Sequence, residues 1–440
     1  MCSLDRIIEY VNIVCQQMRW KKAQSRVYEE LKNHIVDSRD SFMTQGLNED
    51  SATEKAIADT GDATDIGTQL DRIHRPKPQW GMLAATAGLL LLGLLVRMFV
   101  FTDEDRVGLL SVRLLYTGIG IAGMIAAYFT DFTVIGKYPK AIYFGIAVFS
   151  AIVLLFSPTV NFMKSIIWYY GQYVILLFPL AFSAIVYRAR NKRHLGILLC
   201  GLAFVLPVSI ALYFPSVSGF THLSFVGMAL LGVAVYKGWF GTRRSTGFLL
   251  MLVPAALLIV VFLTWMTPDR WERLVASFNP YVSPDGVGSM GVMTKELLSG
   301  AKLIGQGNIP NNYFLWLAEP YPVFYTDMLL TALIALTGWI AFAVILLALC
   351  FFIARGFVHC GRQKSSLGYF VSVSIMMTLC VQAISYIAYN LGFQFTSPIS
   401  LPLISFGNTA TIMNLILIGF MLSVFRTGDV VMDKQYLRKI

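Results

Sequence analysis

The sequence predicts an all-α fold, a polytopic membrane bundle of about ten transmembrane helices with a small N-terminal cytoplasmic helical domain. Hydrophobic residues make up 56% of the 440 residues and charged residues only 14%, whereas soluble proteins carry about 25% charged residues. The charge is uneven, because residues 1–79 hold 24 charged side chains and residues 80–440 hold 36. This composition excludes a disordered chain, a secreted disulfide scaffold and an ordinary soluble enzyme.

Residues 1–79 are as highly charged as a soluble domain, and their apolar residues recur at helical spacing. A break at Thr44–Gly46 and a stop at Gly61 separate the predicted helices. Two helices are predicted within 5–41 with a break near Trp20–Lys22, a third over about Glu49–Asp59, and a fourth from Asp62 or Thr64 through Arg72.

Residues 80–440 are predicted to be the membrane domain. A helix needs about 20 apolar residues to cross the hydrocarbon core. Ten windows approach or exceed this length: 80–101, 108–129, 140–156, 166–187, 195–214, 220–236, 245–266, 328–353, 369–391 and 402–425. No cleavable signal peptide is expected before the first window.

Positive charge predicts the orientation of these spans. With the N-terminus inside, sixteen Lys and Arg residues fall in the inner loops and the C-terminal tail, but only Arg106 and Lys164 fall in the short outer loops. Cytoplasmic loops carry this excess in membrane proteins. We therefore predict a multi-pass protein of the cytoplasmic membrane with both termini in the cytoplasm and a large extracytoplasmic loop over 267–327. A long loop of this kind is the expected place for chemistry.

Acidic residues and cysteines narrow the function further. No Asp or Glu lies at mid-depth in a predicted span, which disfavours an ion-coupled carrier. No Lys/Arg stripe with interleaved aromatic residues indicates a nucleic-acid surface. The six cysteines form no CxxC or Cys/His cluster. We predict no nucleic-acid partner, no metal site and no evident cofactor; a divalent cation is left open, with no identifiable site.

Two cations lie inside predicted spans. Arg97 is near the outer end of the first span and Arg113 near the outer end of the second. One interpretation is that both side chains extend to the outer headgroups or pair with the acids of 103–105. The alternative is a cationic recess suited to an anionic lipid headgroup such as a pyrophosphate.

The C-terminal third contains the most specific motifs. The stretch Ser397–Thr409, which reads SPISLPLISFGNT, precedes the last predicted span. The other motifs are Gln382–Ile384, Asn390–Gly392, Tyr325–Asp327, Asn279–Tyr281 with Pro284, Gly286 and Gly288, and Gly305–Gly307. Together they resemble the SEDS family, the shape, elongation, division and sporulation proteins of the FtsW/RodA/SpoVE type. Over 278–425 the resemblance is specific, and ten spans with both ends inside is also the family topology.

The resemblance implies a function. SEDS proteins are glycosyltransferases that polymerise lipid II into peptidoglycan strands outside the bacterial cytoplasmic membrane, in cell-wall synthesis for cell shape, division or sporulation. They usually work beside a class B penicillin-binding protein. The chemistry needs a base for the acceptor 4-hydroxyl and cations for the departing lipid pyrophosphate.

The sequence departs from the family at the position of the essential carboxylate. On the family frame Asn-Pro-Trp-x-Asp-Pro-x-Gly-x-Gly, the acid falls on Ser283, and Asp285 lies two residues later. A serine hydroxyl is not ionised near neutral pH. Asp285 is therefore our catalytic candidate, with the alternative that it is only a turn residue in Pro-Asp-Gly.

The remaining candidates are substrate-binding residues. They are Arg97, Arg113, Ser283, Thr326, Asp327, Ser405 and Gly407. Arg113 sits where the family keeps a basic residue, Asp327 opens the eighth predicted span, and Ser405 is expected to expose its hydroxyl before the tenth.

Other family acids are also missing, whereas Gly and Pro positions remain. This leaves two alternatives to an active enzyme. One is a catalytically silent SEDS-like scaffold or regulator of a penicillin-binding protein, and the other is a flippase for a lipid-linked precursor.

The N-terminal domain resembles a second module. Glu30-Leu31, His34-Ile35, Gly46-Leu47, Ala56-Ile57 and Ile73–Pro76 are similar to the permease-prefix (HAAS-type) helical domain. This resemblance implies a cytoplasmic regulatory or partner-binding role.

Overall fold

The computed structural model describes residues 3–100, 103–156, 159–160, 163–164, 172–213, 217–310, 313, 327–405 and 407–428. Two compact units divide between Pro78 and Gln79. We refer to them as the prefix unit and the membrane unit.

The prefix unit contains four helices. They are α1 (Ser3–Gln16), α2 (Lys21–Thr44), α3 (Glu49–Thr60) and α4 (Ala63–His74). The side chain of Asn48 accepts a hydrogen bond from the Ser51 N–H and caps α3, and Asp62 accepts from the N–H groups of Thr64 and Asp65 and caps α4. Apolar residues at helical spacing form the core of this unit: Ile7, Val11, Val14, Ile35 and Ala56.

The first half of the membrane unit contains nine α-helices, one 3-10 helix and a short hairpin within its described residues. The helices are α5 (Trp80–Val100), α6 (Asp103–Phe129), α7 (Thr133–Lys137), α8 (Pro139–Leu155), the 3-10 turn Gln172–Leu177, α9 (Phe178–Ala189), α10 (Arg193–Tyr213), α11 (Val217–Tyr236), α12 (Arg244–Leu250) and α13 (Leu252–Trp265). The strands β1 (Thr159–Val160) and β2 (Met163–Lys164) pair antiparallel.

The second half continues with six α-helices and one further 3-10 turn in the part that the structure describes. They are α14 (Pro268–Phe278), the 3-10 turn Pro280–Val282, α15 (Ser289–Ser299), α16 (Leu329–Thr337), α17 (Trp339–Gly361), α18 (Ser366–Asn390) and α19 (Asn408–Thr427).

Within the described residues, ten apolar helical segments confirm the predicted polytopic bundle. Six are long enough to cross a membrane: Arg193–Leu212, Val217–Tyr236, Arg244–Trp265, Trp339–Gly361, Ser366–Asn390 and Asn408–Thr427. Four are shorter: Trp80–Val96, Leu114–Phe129, Pro139–Val153 and Tyr173–Ala189. We call the end at which Arg244–Trp265 finishes and Trp339–Gly361 begins the loop end of the bundle.

The eighth span differs from its predicted bounds of 328–353. Gly338 has a φ of 98°, in the left-handed region that glycine tolerates and an α-helix cannot continue through. The chain therefore forms a separate buried helix, α16, before the span α17. At about 1.5 Å per residue, the 23 residues of α17 extend about 34 Å and cross the bilayer without α16.

The tenth span also begins later than the predicted residue 402. Residues 402–404 form a turn, and Leu403 has a φ of 66°, so the helix starts only at Asn408. Hydropathy overestimated both spans because apolar residues continue through each backbone break.

The break at Gly338 is bridged by backbone hydrogen bonds from Lys302–Gly307. The N–H groups of Gly305 and Gly307 donate to the carbonyls of Thr337 and Ala335, at 3.0 and 2.8 Å. The N–H groups of Trp339 and Ile340 donate to the carbonyls of Lys302 and Leu303, at 3.1 and 3.2 Å. The segment thus satisfies the free groups at the end of one helix and the start of the next.

Candidate functional site

A large cavity lies in the membrane unit at the loop end. Its volume is about 1170 Å³, at the upper limit of ordinary ligand sites. Its lining consists of residues from α13 and α14, from 286–290, from the stretch 389–399, from the start of α11 and from the 3-10 turn Gln172–Leu177, together with Asp327.

Helix α14 places charge in the cavity. Pro268 begins the helix, and Asp269, Arg270 and Arg273 line the cavity. The Arg270 guanidinium stacks on the Trp265 ring, 3.4 Å from its centroid, and donates to the Trp265 carbonyl. Stacking and hydrogen bonding hold this cation in place.

The other face of α14 is apolar and exposed. Trp271, Val275 and Phe278 follow at helical spacing and all three are exposed. The helix is therefore amphipathic, with a charged side toward the cavity and an apolar side away from it.

The turn that follows α14 forms one edge of the cavity. The N–H groups of Gly286 and Gly288 donate to the Ser283 carbonyl at 3.2 and 3.0 Å. A Cβ atom at Gly288 would lie 2.2 Å from the Pro280 carbonyl oxygen, so only glycine fits there. Gly286 and Val287 line the cavity.

The two residues of this turn that the sequence singled out lie outside the lining. Ser283 is half-buried, and Asp285 is exposed on the turn beside the cavity. The catalytic role of Asp285 and the binding role of Ser283 stay predictions.

The stretch 389–399 forms another part of the cavity wall. The Gln394 amide donates to Thr294 Oγ1 at 3.0 Å, and the Ser218 hydroxyl donates to the Ser397 carbonyl. Below this wall, the side chains of Gln382, Ser400 and Asn414 form a fully buried hydrogen-bonded trio. These bonds fix the wall against α11, α15 and α19.

Asp327 lies in the cavity at the start of the buried helix α16. Asn390, at the end of α18, donates from Nδ2 to the Asp327 carbonyl at 2.8 Å and accepts from the Thr331 N–H at 3.0 Å. The Thr331 hydroxyl donates to the Asn390 carbonyl at 2.9 Å. Asn390 and Thr331 are both fully buried. The position of Asp327 is thus set by a contact across 63 residues of sequence.

Ser405 and Gly407, the predicted binding residues before the last span, take part in local hydrogen bonds. Ser405 is only 2% exposed, so the expected exposed hydroxyl is wrong. Its Oγ instead accepts from the Leu401 N–H at 2.8 Å, which closes the turn. The Gly407 carbonyl accepts from the Thr411 N–H in the first turn of α19. Neither residue lines the cavity, and their binding roles stay predictions.

Three candidates lie wholly or partly outside the described residues. Thr326 lies outside the described residues. Arg97 and Arg113 lie in α5 and α6, and their side chains are outside the description. Among the described residues, no group of three or more His, Cys, Asp or Glu could hold a metal ion.

Sequence reasoning missed Arg270 and Arg273 as site residues. Their i, i+3 spacing on a short amphipathic helix just before the family motif was the available signal.

The fold and the cavity define a class: a polytopic helical membrane protein with a large, charge-lined cavity at one end of the bundle. The sequence model of the FtsW, RodA and SpoVE family, described as cell cycle protein, matches residues 79–429. The chain belongs to this family, which confirms the SEDS resemblance. The match begins after the prefix unit, so the permease-prefix resemblance stays a prediction.

Two curated relatives show the extent of the similarity. A probable peptidoglycan glycosyltransferase FtsW of Trichlorobacter lovleyi is 24% identical over 184 residues, 42% of this chain and 47% of that protein. A protein of the same name from Geobacter sp. (strain M18) is 23% identical over 337 residues, 73% of this chain and 88% of that protein. The chain spans about half the length of the first curated relatives it matches.

A solved structure supports the fold. A chain from a peptidoglycan synthase complex, studied for the coordination of polymerization and crosslinking, superposes with a TM-score of 0.61 at 20% identity. The match covers 80% of this chain and 98% of that one.

Proposed function

We propose that the protein is a peptidoglycan glycosyltransferase that polymerises lipid II at the loop end of its membrane bundle. Its family supports this activity, and so do its relatives, which are named probable peptidoglycan glycosyltransferases. The observation that carries the proposal is the cavity of about 1170 Å³, whose lining includes Arg270, Arg273 and Asp327. Glycosyl transfer from a lipid diphosphate needs both charges, a cation for the leaving group and a carboxylate for the acceptor.

The arginines suit the diphosphate of the donor. A guanidinium offers several N–H donors in a planar fork, which fits phosphate oxygens bidentately. Arg270 is preorganised by its contact with Trp265, and Arg273 is one turn further on the same helix. Together they provide two positive charges on one wall of the cavity.

The surroundings suit a lipid-linked substrate. The exposed apolar face of α14 (Trp271, Val275 and Phe278) follows α13, whose outward residues Ile259, Val260 and Leu263 are also exposed. An amphipathic helix of this kind lies at a membrane interface. In the proposed binding mode, the polyprenyl chain stays in the bilayer beside α13 while the sugars occupy the cavity.

We place the protein in the bacterial cytoplasmic membrane with both termini in the cytoplasm. The excess of Lys and Arg in the loops opposite the loop end supports this orientation. The loop end, with the cavity, then faces the cell wall. A class B penicillin-binding protein is the proposed partner, supported by the similarity to a chain of a peptidoglycan synthase complex.

The test is polymerisation of lipid II by the purified full-length protein, alone and with candidate class B partners. Arg273→Gln is expected to lower kcat/KM about 10–100-fold, because a charge-assisted hydrogen bond contributes about 1.5–3 kcal/mol. Lys302→Gln is the matched control, since Lys302 is exposed and outside the cavity lining. Equal activity of the two variants would remove Arg273 from the site, and an inactive wild-type protein would contradict the proposed activity.

Ser283 favours a second candidate, a catalytically silent scaffold that binds a penicillin-binding protein. A scaffold would bind the partner and make no glycan under any condition. Ser283→Asp separates the two cases: activity gained only in this variant would show that the natural chain lacks its base. Movement of labelled precursor across liposomes by a non-polymerising protein would instead favour a flippase.

A further inference from the structure

The carboxylate that the family frame places at residue 283 is missing from this chain. Ser283 cannot serve as a base near neutral pH, and Asp285 is exposed and outside the cavity lining. If the proposed polymerase function holds, another carboxylate must accept the acceptor's proton.

Within the part of the chain that the structure describes, two carboxylates line the cavity: Asp269 and Asp327. Asp269 is exposed in the first turn of α14, with Arg273 one helical turn away. Its charge is therefore screened by solvent and offset by a neighbouring cation. Asp327 is half-buried, lies just before α16, and is hydrogen-bonded through its backbone carbonyl to Asn390 of α18.

The position of Asp327 is fixed by its neighbours. The Asn390 side chain donates to the backbone carbonyl of Asp327 and accepts from the Thr331 N–H in the first turn of α16. Tyr389, the residue before Asn390, also lines the cavity and lies within electrostatic range of the Asp327 charge. Asp327 precedes the first residue of α16 by two positions, where the helix dipole favours a negative charge. An ionised carboxylate is the form that a general base requires.

We infer that Asp327 is the general base for glycosyl transfer in this protein, and that Asn390 is its positioning residue. As the acceptor 4-hydroxyl oxygen forms its bond to the anomeric carbon of the donor, the hydroxyl proton passes to an Asp327 oxygen. The bond from the anomeric carbon to the diphosphate oxygen breaks, and the diphosphate leaves with that electron pair beside Arg270 and Arg273. The proton on Asp327 returns to water before the next cycle.

The experiment compares three variants of the purified full-length protein with lipid II as substrate. Asp327→Asn is expected to lower kcat by 10²–10⁴-fold, the usual contribution of a general base. The amount of lipid II bound by this variant is expected to change less than threefold. Glu272→Gln is the matched control, because it removes an exposed carboxylate of α14 that lies outside the cavity lining, and it is expected to stay within about fivefold of wild type. Asp285→Asn tests the competing candidate, and the inference requires this variant to retain activity.

Two further readouts separate catalysis from a structural role. In the pH profile, the wild-type rate is expected to fall at low pH as a single carboxylate becomes protonated. The residual rate of Asp327→Asn is expected to show no such fall. Asp327→Glu keeps a carboxylate, and its polymerisation rate is expected to be at least ten times that of Asp327→Asn. This comparison keeps its value where the asparagine variant folds poorly.

The inference is overturned if wild type polymerises lipid II and Asp327→Asn retains at least a third of its rate, or if Asp285→Asn alone abolishes it. Polymerisation absent from wild type under all conditions contradicts the proposed function itself, and the inference fails with it. The two failures are therefore distinguished by the wild-type rate.

Discussion

Replacing Asn390 with leucine tests the buried contact that holds the start of α16. The substitution keeps the branching of the side chain and removes its four hydrogen bonds. The two that join α18 to the backbone before and within α16 are those to the Asp327 carbonyl at 2.8 Å and from the Thr331 N–H at 3.0 Å. A buried N–H left unpaired costs about 1–3 kcal/mol, and the second bond adds about 0.6–1.7 kcal/mol in a membrane protein. We expect Asn390→Leu to lower the free energy of unfolding by about 2–4 kcal/mol.

The assay is reversible unfolding of the full-length protein in mixed micelles with increasing sodium dodecyl sulfate. Thr331→Val is the control, because it removes only the hydroxyl, which donates to the Asn390 carbonyl at 2.9 Å and to Asn390 Oδ1 at 3.2 Å. The bonds of the Asn390 side chain to the Asp327 carbonyl and from the Thr331 N–H remain. Its expected cost is about 0.5–1.5 kcal/mol. If Asn390→Leu costs no more than Thr331→Val, Asn390 does not hold α16 in the way described.

Two further predictions concern packing and pH. Gly288→Ala is expected to lower the melting temperature of the full-length protein, since the added Cβ would lie 2.2 Å from the Pro280 carbonyl oxygen and overpacking costs about 1–3 kcal/mol. Gly145→Ala, inside α8 and with open space around it, should not lower the temperature, because alanine favours a helix over glycine. An equal loss in the two variants would refute the packing argument. Burial raises the pKa of the Cys15 thiol and of the Tyr10 hydroxyl. Their contribution to the stability of the prefix unit is complete below the ordinary thiol pKa of 9.0 and lost as the pH rises above it. Thermal unfolding of residues 1–78, followed by circular dichroism, should show a melting temperature that falls above this pH, less steeply in Cys15→Ala; a constant temperature would contradict it.

Local signals predicted the prefix helices well. The stop at Gly61 and the cap at Asp62 both appear in the structure, and α3 and α4 end within two residues of their predicted ends. Such boundaries depend on one side chain and the backbone groups beside it, so short windows of sequence contain them.

Hydropathy predicted the ten apolar segments that the described residues contain, and it failed where the backbone breaks inside apolar sequence. Apolar residues lie on both sides of the pair Thr337-Gly338, so the average hydropathy along the window changes little there. Its φ of 98° follows from the hydrogen bonds to 302–307, which no local window contains.

The candidate site, like the fold, could be predicted from the sequence only in part. The family motif indicated the turn at 279–288, which does border the cavity. Asp327 was named from its motif, but its relation to Asn390 requires a contact between residues 63 apart. Arg270 and Arg273 fall outside the motif, and only the cavity shows that both face the same space as Asp327.

The segment Lys302–Gly307 has a practical consequence for topology mapping. Leu303 and Ile304 are 67% and 70% exposed, so the segment resembles the permissive surface loops into which epitope tags and protease sites are usually inserted. Here an insertion would separate four backbone hydrogen bonds that join α16 to α17. A reporter placed there would disturb the very span whose direction it was meant to record.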